Sequence, residues 1–241
     1  IDWEISKLVD IANFRRGSFP QPYGLPKWYD NENGMPFIQV YDVDDNFKLK
    51  PTTKQKISKV GSKKSVFIEK GTLIITIQGS IGRVAITQYD AYIDRTLLIF
   101  QSFLKPIDKV YLGNQLKVLF HKEGQKANGS TIKTITKAQL SNFIIPLPSL
   151  PEQKKIAEIL STVDEQISTT QAIIEKSKEL KKGLMQKLFL EGIGHTEFKD
   201  TKIGRIPKDW EIKKLGDVLE KIVGGGTPSR LKSEYWNGNI P

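Results

Sequence analysis

The sequence predicts an α+β protein: a mixed, mainly β domain followed by one long, coiled-coil helix. Three observations predict it. Short apolar runs bounded by turn residues fill residues 1–148, the stretch from Pro151 to Glu191 has no internal proline and a single glycine, Gly183, and a string at the start of the chain returns near its end.

The runs are Phe37-Ile38-Gln39-Val40, Ser65-Val66-Phe67-Ile68, Leu73-Ile74-Ile75-Thr76-Ile77, Arg83-Val84-Ala85-Ile86 and Thr96-Leu97-Leu98-Ile99-Phe100. They read as strands because β-branched and aromatic residues suit a pleated, packed surface and turn residues bracket each run. Gly79-Ser80-Ile81-Gly82 makes a tight connection between two of them, and Ile107 to Lys122 has the apolar spacing of one amphipathic helix. Residues 1–148 are therefore taken as one domain. A chain of 241 residues exceeds the usual single domain and falls short of two, and a hydrophobic share of 38% supplies a real core.

The second element, residues 149–192, is marked at both ends. Pro151 sits in the first turn, Glu152 favours the positive end of the helix dipole, and Gly192 and Gly194 stop the run. Positions spaced alternately by four and three carry Ile156, Leu160, Val163, Ile167, Ile174, Leu184 and Leu188, with Thr170, Ser177 and Lys181 as a polar patch. This is a coiled-coil seam. At 1.5 Å per residue the helix is roughly 60 Å long, against about 34 Å for a turn of B-DNA. Packing on its own domain is the alternative, but a helix this long overhangs such a domain. Most of the seam needs a partner helix, most simply from a second chain or a second repeat.

The repeat sets the architecture. Asp2-Trp3-Glu4-Ile5-Ser6-Lys7-Leu8-Val9-Asp10 returns as Asp209-Trp210-Glu211-Ile212-Lys213-Lys214-Leu215-Gly216-Asp217, identical at seven of nine positions. Gly238-Asn239-Ile240-Pro241 loosely echoes Asn33-Gly34-Met35-Pro36. Residues 193–241 accordingly read as a linker and the shortened start of a second unit of the same kind, as in a half-length or truncated chain.

Charge points to a polyanion. Residues 1–150 hold 21 Lys+Arg against 13 Asp+Glu (+8), residues 151–191 hold 7 against 7 (0), and residues 192–241 hold 9 against 7 (+2), which together make the net +10. The excess sits on the first domain, where neutralised phosphates would release condensed counterions. The chain contains no cysteine and two histidines, His121 and His195, which excludes disulfides, thiolate metal sites and a cysteine nucleophile. No apolar run is long enough to span a membrane and no signal-peptide pattern opens the chain, so a cytoplasmic protein without membrane contact is expected.

The junction between domain and helix carries a resemblance. Gly129-Ser130-Thr131-Ile132-Lys133, then Ile144-Ile145-Pro146-Leu147-Pro148, then Leu150-Pro151-Glu152-Gln153-Lys154-Lys155-Ile156-Ala157 is similar to the passage from target recognition domain to spacer helix in specificity subunits of type I restriction-modification enzymes. Gly71-Thr72-Leu73-Ile74 with Gly79-Ser80-Ile81-Gly82 resembles a strand-turn-strand of those recognition domains, and Trp210-Glu211-Ile212 with Gly226-Thr227-Pro228-Ser229 the opening of another.

The resemblance implies a non-catalytic DNA reader that docks methyltransferase (modification) subunits and, with them, a motor-nuclease (restriction) subunit. S-adenosylmethionine would serve the former, ATP and magnesium the latter, with no cofactor in this chain. Typical members carry two recognition domains on two antiparallel spacer helices. With one domain here, a homodimer paired through residues 151–191 would restore that form and read an inverted repeat on double-stranded DNA. A stand-alone DNA-binding regulator and a purely structural coiled-coil protein are the competing readings, separable by partner dependence and salt dependence of DNA binding.

Motifs for chemistry are missing. There is no Asn/Asp-Pro-Pro-aromatic box to grip a flipped adenine. Gly224-Gly225-Gly226 lacks the Lys-Ser/Thr of a phosphate loop and reads as a flexible turn, while Asp42, Asp44 and Asp45 lack the pattern of a calcium loop and read as loop surface. No metal site is expected. Candidate DNA contacts come from cationic and amide side chains beside flexible backbone. Arg15 and Arg16 beside Gly17, Lys63 and Lys64 beside Gly61-Ser62, and Lys122 with Lys126 are assigned to phosphates. Gln78, Ser80, Arg83 and Arg95 flank the glycine turn, and Asn128, Ser130 and Lys133 flank another glycine. Tyr23, Trp28 and Tyr29 are expected in the core, with packing against DNA sugars as the alternative.

Overall fold

Leu73-Ile74-Ile75-Thr76 is apolar without alternation, which suits a strand covered on both faces. The computed structural model, which describes residues 3–126 and 135–238, buries all four. In chain order the elements are β1 (Glu4–Lys7), α1 (Leu8–Ile11), β2 (Ala12–Arg16), β3 (Met35–Ile38), β4 (Gln55–Ile57), α2 (Lys59–Ser62), β5 (Val66–Ile68), β6 (Leu73–Thr76), β7 (Val84–Ile86), β8 (Ala91–Ile93), β9 (Leu97–Phe103), α3 (Lys109–Lys126), α4 (Lys137–Ser141), β10 (Ile144–Leu147), α5 (Leu150–Glu191), β11 (Phe198–Thr201), β12 (Gly204–Pro207) and α6 (Leu215–Val218). Each of the five runs picked out by composition contains a strand. The helix expected over 107–122 begins and ends a few residues later, as α3.

Two compact units result, Ile1–Thr170 and Gln171–Pro241. The first is built on two four-stranded sheets, ordered β2-β9-β6-β7 and β4-β3-β8-β5; the first is antiparallel throughout, and the second contains one parallel pair, β3 with β8. Period-two alternation sends residues of β6 and β9 to opposite cores. Leu73, Ile75, Leu98 and Phe100 meet Leu112 and Leu116 of α3 together with Leu8 and Ile11. Ile74, Leu97 and Ile99 meet Ile38, Ile68 and Ile93 of the other sheet. A smaller aromatic cluster holds Phe19, Trp28, Phe37 and Ile57.

The root of α5 is tied into this unit. β1 pairs antiparallel with β10, the strand that leads into the helix, and the Tyr111 hydroxyl donates to the Pro146 carbonyl at 2.8 Å. Gln153, only 2% exposed, accepts from the Asp108 amide at 2.9 Å and donates to the carbonyls of Pro148 at 2.9 Å and Pro106 at 3.3 Å. Ala157 is buried and Ile156 half-buried, so the first turns pack on their own domain. From residue 165 to 191 every side chain of the helix is exposed.

In the second unit the rest of α5 is followed by the hairpin β11–β12 and by α6. The repeated string ends in the same short helix in both copies: Lys7 before α1 has φ −73 and ψ 148, and Lys214 before α6 has φ −74 and ψ 147, although residues 4–7 form a strand and 211–214 do not. Its surroundings differ. Leu8 and Ile11 are fully buried, whereas Leu215 and Val218 are 66% and 57% exposed.

The three aspartates expected as loop surface divide. Asp42 is fully buried, its carboxylate accepting from the amides of Gln39 at 2.8 Å and Lys54 at 2.9 Å, where it caps a short 3-10 turn. Burial pushes its carboxyl above the usual range against the pull of these two amides. Asp44 accepts from the amides of Asn46 and Lys48, and Asp45 pairs with Arg83. These roles are structural, because short loops leave backbone donors that nearby carboxylates satisfy.

Candidate nucleic-acid interface

Antiparallel register gathers several of the sequence's basic clusters at one end of the first sheet. Arg16, the last residue of β2, lies opposite Leu98, and Thr76, the last residue of β6, lies opposite Leu97. The ends of β2 and β6, the start of β9 and the glycine turn 79–82 therefore share an edge. Hydrogen bonds lock the loops there: Gly17 N to Leu97 O at 3.0 Å, Ser18 N to Ile93 O at 3.1 Å, Ile77 N to Thr96 O at 2.9 Å and Arg16 Nε to Arg95 O at 3.1 Å.

The lysines arrive through Ser18 and Ser65. Ser18 Oγ donates to Lys64 O at 2.9 Å, and Ser65 Oγ lies 3.0 Å from Ser18 O and 3.3 Å from Ile93 O. Arg15, Arg16, Lys63, Lys64 and Arg95 all expose their side chains along this ridge. Arg95 stands over Tyr23 at 5.9 Å, and Lys27 and Lys64 stand over the Trp28 ring at 4.5 and 5.3 Å. Trp28 itself is core, 3% exposed, while Tyr23 is 57% exposed on the ridge.

The glycines beside these cations do not serve as flexible joints. A Cβ on Gly17 would fall 2.3 Å from the Asp94 carbonyl oxygen, and one on Gly61 2.8 Å from that of Trp28. Both are close-approach positions that let the cation-bearing loops stack on neighbouring backbone. The sequence shows the glycines but not what lies against them.

Arg83 has a different setting. Its Nε lies 2.9 Å from Asp45 Oδ1 and its Nη1 donates to Val43 O at 3.3 Å, so the guanidinium bridges two loops. Beside it Lys117 donates to Asp45 O at 2.8 Å and sits 4.0 Å above the Phe47 ring; burial lowers its pKa below the ordinary lysine value. These residues line an open cleft of about 560 Å³ with Ile81, Gly82, Phe120 and His121. Lys122 is exposed on α3 one residue beyond it, Gln78 is half-buried and Ser80 is exposed on the glycine turn. The side chain of Lys126 and all of Asn128, Ser130 and Lys133 lie outside the described residues.

Sequence reasoning missed an adjoining groove of about 500 Å³, lined by Asn13, Arg15, Gln101, Ser102 and Lys137 among others. Its signal is a bulge between Asn13 and Phe14, where β2 and β9 slip register and leave Gln101 unpaired in the ladder. Among the described residues, no group of three or more His, Asp or Glu is placed to hold a metal ion.

On α5, Leu160, Val163, Ile167, Ile174, Leu184 and Leu188 are each between 38% and 59% exposed. Ile159, Ile173, Leu180, Met185, Phe189 and Leu190 add exposed apolar surface off the seam, and towards the C-terminal end two shallow apolar grooves flank Met185 and Phe189.

A two-sheet α+β domain with a basic loop edge is thus rooted on a helix of 42 residues. Residues 1–179 match the family model described as the type I restriction modification DNA specificity domain, and the chain belongs to that family. It is 30% identical over 220 residues to the type I restriction enzyme MjaVIII specificity subunit of Methanocaldococcus jannaschii, covering 91% of this chain and 49% of that protein. A putative MjaX specificity subunit from the same organism is 33% identical over 245 residues, covering 94% of this chain and 55% of that one. The chain thus spans about half the length of these relatives. The crystal structure of the HsdS subunit from Thermoanaerobacter tengcongensis shares the fold, with a TM-score of 0.56 at 23% identity over 78% of this chain and 44% of that one.

Proposed function

We propose that this chain reads one half of a bipartite DNA target for a type I restriction-modification system and has no catalytic role of its own. The observation that carries the reading is the convergence of Arg15, Arg16, Lys63, Lys64 and Arg95, far apart in sequence, on one hydrogen-bonded sheet edge. Such an edge suits a phosphate backbone, since rigidly placed cations hold a duplex in register while neighbouring amides and hydroxyls meet base edges. Gln78, Ser80, Asn128, Ser130 and Lys133 are assigned to that second role, Lys122 and Lys126 to phosphates. Arg83, held by Asp45, is assigned to loop positioning.

The exposed seam of α5 pairs with the same helix of a second copy, residues 1–148 serving as reading head, 149–192 as spacer and 193–241 as the way into a second head. The apolar surface beyond the seam, around Met185 and Phe189, supports docking of further helices, which we assign to methyltransferase subunits in the cytoplasm. The motor-nuclease subunit joins through them.

Salt titration of duplex binding by fluorescence anisotropy, with methyltransferase subunits present, tests the interface. Each phosphate contact contributes about 0.9 to the slope of log K against log salt. Arg16→Ala with Lys64→Ala should flatten the slope by roughly 2 and weaken all sequences alike, and Arg83→Ala should leave it unchanged. An unaltered slope in the double variant refutes the ridge.

A further inference from the structure

The stretch between the end of α5 and the second copy of the repeat is more than a tether. α5 stops where Gly192 takes φ +66, and a Cβ at that position would meet His195 Cδ2 at 2.6 Å and Trp210 Cζ2 at 2.8 Å. Both rings therefore sit directly on the glycine, and they meet edge to face with centroids 5.8 Å apart and planes at 81°. His195 Nδ1 lies 3.2 Å from Asp209 Oδ1, so the Asp-Trp pair that opens the repeat engages one histidine twice.

The hairpin β11–β12 holds this arrangement. Lys199 Nζ donates to Trp210 O at 2.6 Å, Trp210 N to Pro207 O at 3.1 Å, and Lys208 N to Glu197 O at 3.0 Å, with a Lys208–Glu197 ion pair at 2.8 Å. Ile206 is 2% exposed. A Cβ on Gly204 would be in ordinary contact with Leu190 Cδ2, at 3.7 Å, so the hairpin also reaches the last turn of the helix. In the first copy of the repeat, Trp3 is 38% and Ile5 70% exposed, which leaves the recurrence of that tryptophan without a core-packing reason. At Trp210 the reason is visible: it packs on the end of the spacer.

We propose that residues 192–210 are a rigid joint in which Trp210 and His195, seated on Gly192, fix the direction in which residues 211–238 leave α5. Trp210 is a positioning residue. The inference rests on the DNA-reading role above, in which residues 193–241 lead towards a second reading head.

The chain contains no cysteine, so spin labels go only where they are placed. Lys182→Cys on α5 and Lys202→Cys at the hairpin tip, both exposed, report the joint in the full chain without DNA. The unsubstituted joint should give one narrow distance distribution. Trp210→Ala should broaden it at least about twofold at unchanged helix content by circular dichroism, and Trp210→Phe should keep it narrow. A distribution as narrow in Trp210→Ala as in the parent overturns the joint whether or not the protein reads DNA.

Discussion

Gln153 offers the sharpest test of how the two-sheet domain is fastened to its helix. Leucine has nearly the volume of glutamine, so Gln153→Leu keeps the packing and removes three hydrogen bonds, those with Asp108 N, Pro148 O and Pro106 O. Each is worth about 1 kcal/mol net, and a buried partner left unsatisfied costs about 1–3 kcal/mol. The longest of the three, 3.3 Å to Pro106, contributes least. Gln153 is 2% exposed, so water does not readily replace the lost amide. The sum is about 3–4 kcal/mol. At roughly 2–4 °C per kcal/mol for a unit of this size, the melting temperature followed by circular dichroism should fall by about 6–16 °C. Gln153→Glu should also destabilise, because a carboxylate oxygen replaces the amide nitrogen against two carbonyls. A Gln153→Leu protein melting within about 1 °C of the parent refutes the claim that these bonds hold the helix root.

Three further outcomes are expected. Gly17→Ala drives a methyl into backbone at 2.3 Å and should lower the urea midpoint by the equivalent of about 2 kcal/mol, in the range of overpacking costs; an unchanged midpoint shows that the loop yields. Ile167→Asp with Ile174→Asp should convert a dimer to monomers in sedimentation at unchanged fold, and a mass that stays dimeric removes the seam. Burial pushes the hydroxyls of Tyr89 and Tyr41 up to about 12 from the ordinary tyrosine value of about 10. The unfolded chain then ionises first, so stability is full below pH 10 and falls as pH rises towards 12. Tyr89→Phe should remove part of that decline, and an alkaline limb unchanged in Tyr89→Phe contradicts the assignment.

Local patterning carried much of the fold. Leu73 to Thr76, Val84 to Ile86 and the run from Leu97 are legible because a strand covered on both faces stays apolar throughout, and Val66 to Ile68 because β-branched and aromatic residues stand between turn residues. The strands overlooked in sequence are those whose identity lies in their partners. β1 is Glu-Ile-Ser-Lys with Ile5 exposed, and β10 contains a proline; each becomes a strand by pairing with the other across some 140 residues. Asp42 reads as surface because nothing nearby in sequence announces two amides turned towards it.

The candidate site divides in the same way. That cations cluster at 15–16, at 63–64 and at 95 is written in the sequence; that they form one edge follows from antiparallel register and from glycines at 17 and 61, whose missing side chains admit neighbouring backbone. Arg83 looked equivalent to Arg95 in sequence, beside the same glycine turn, and only the approach of Asp45 distinguishes them. Gln101 and Asn13 carried no local signal at all, since a bulge is a property of two strands.

By itself the sequence determined the class of the protein, the extent of its long helix and the presence of a repeat, because helix propensity, end signals and identity between copies are local or one-dimensional quantities. The tertiary structure alone decided which cations share a surface, which are tied up in ion pairs, and that Leu8 is buried while its counterpart Leu215 is exposed. Burial and charge pairing depend on what the rest of the chain brings alongside, and two copies of nearly the same nine residues, each ending in the same short helix, can meet opposite surroundings.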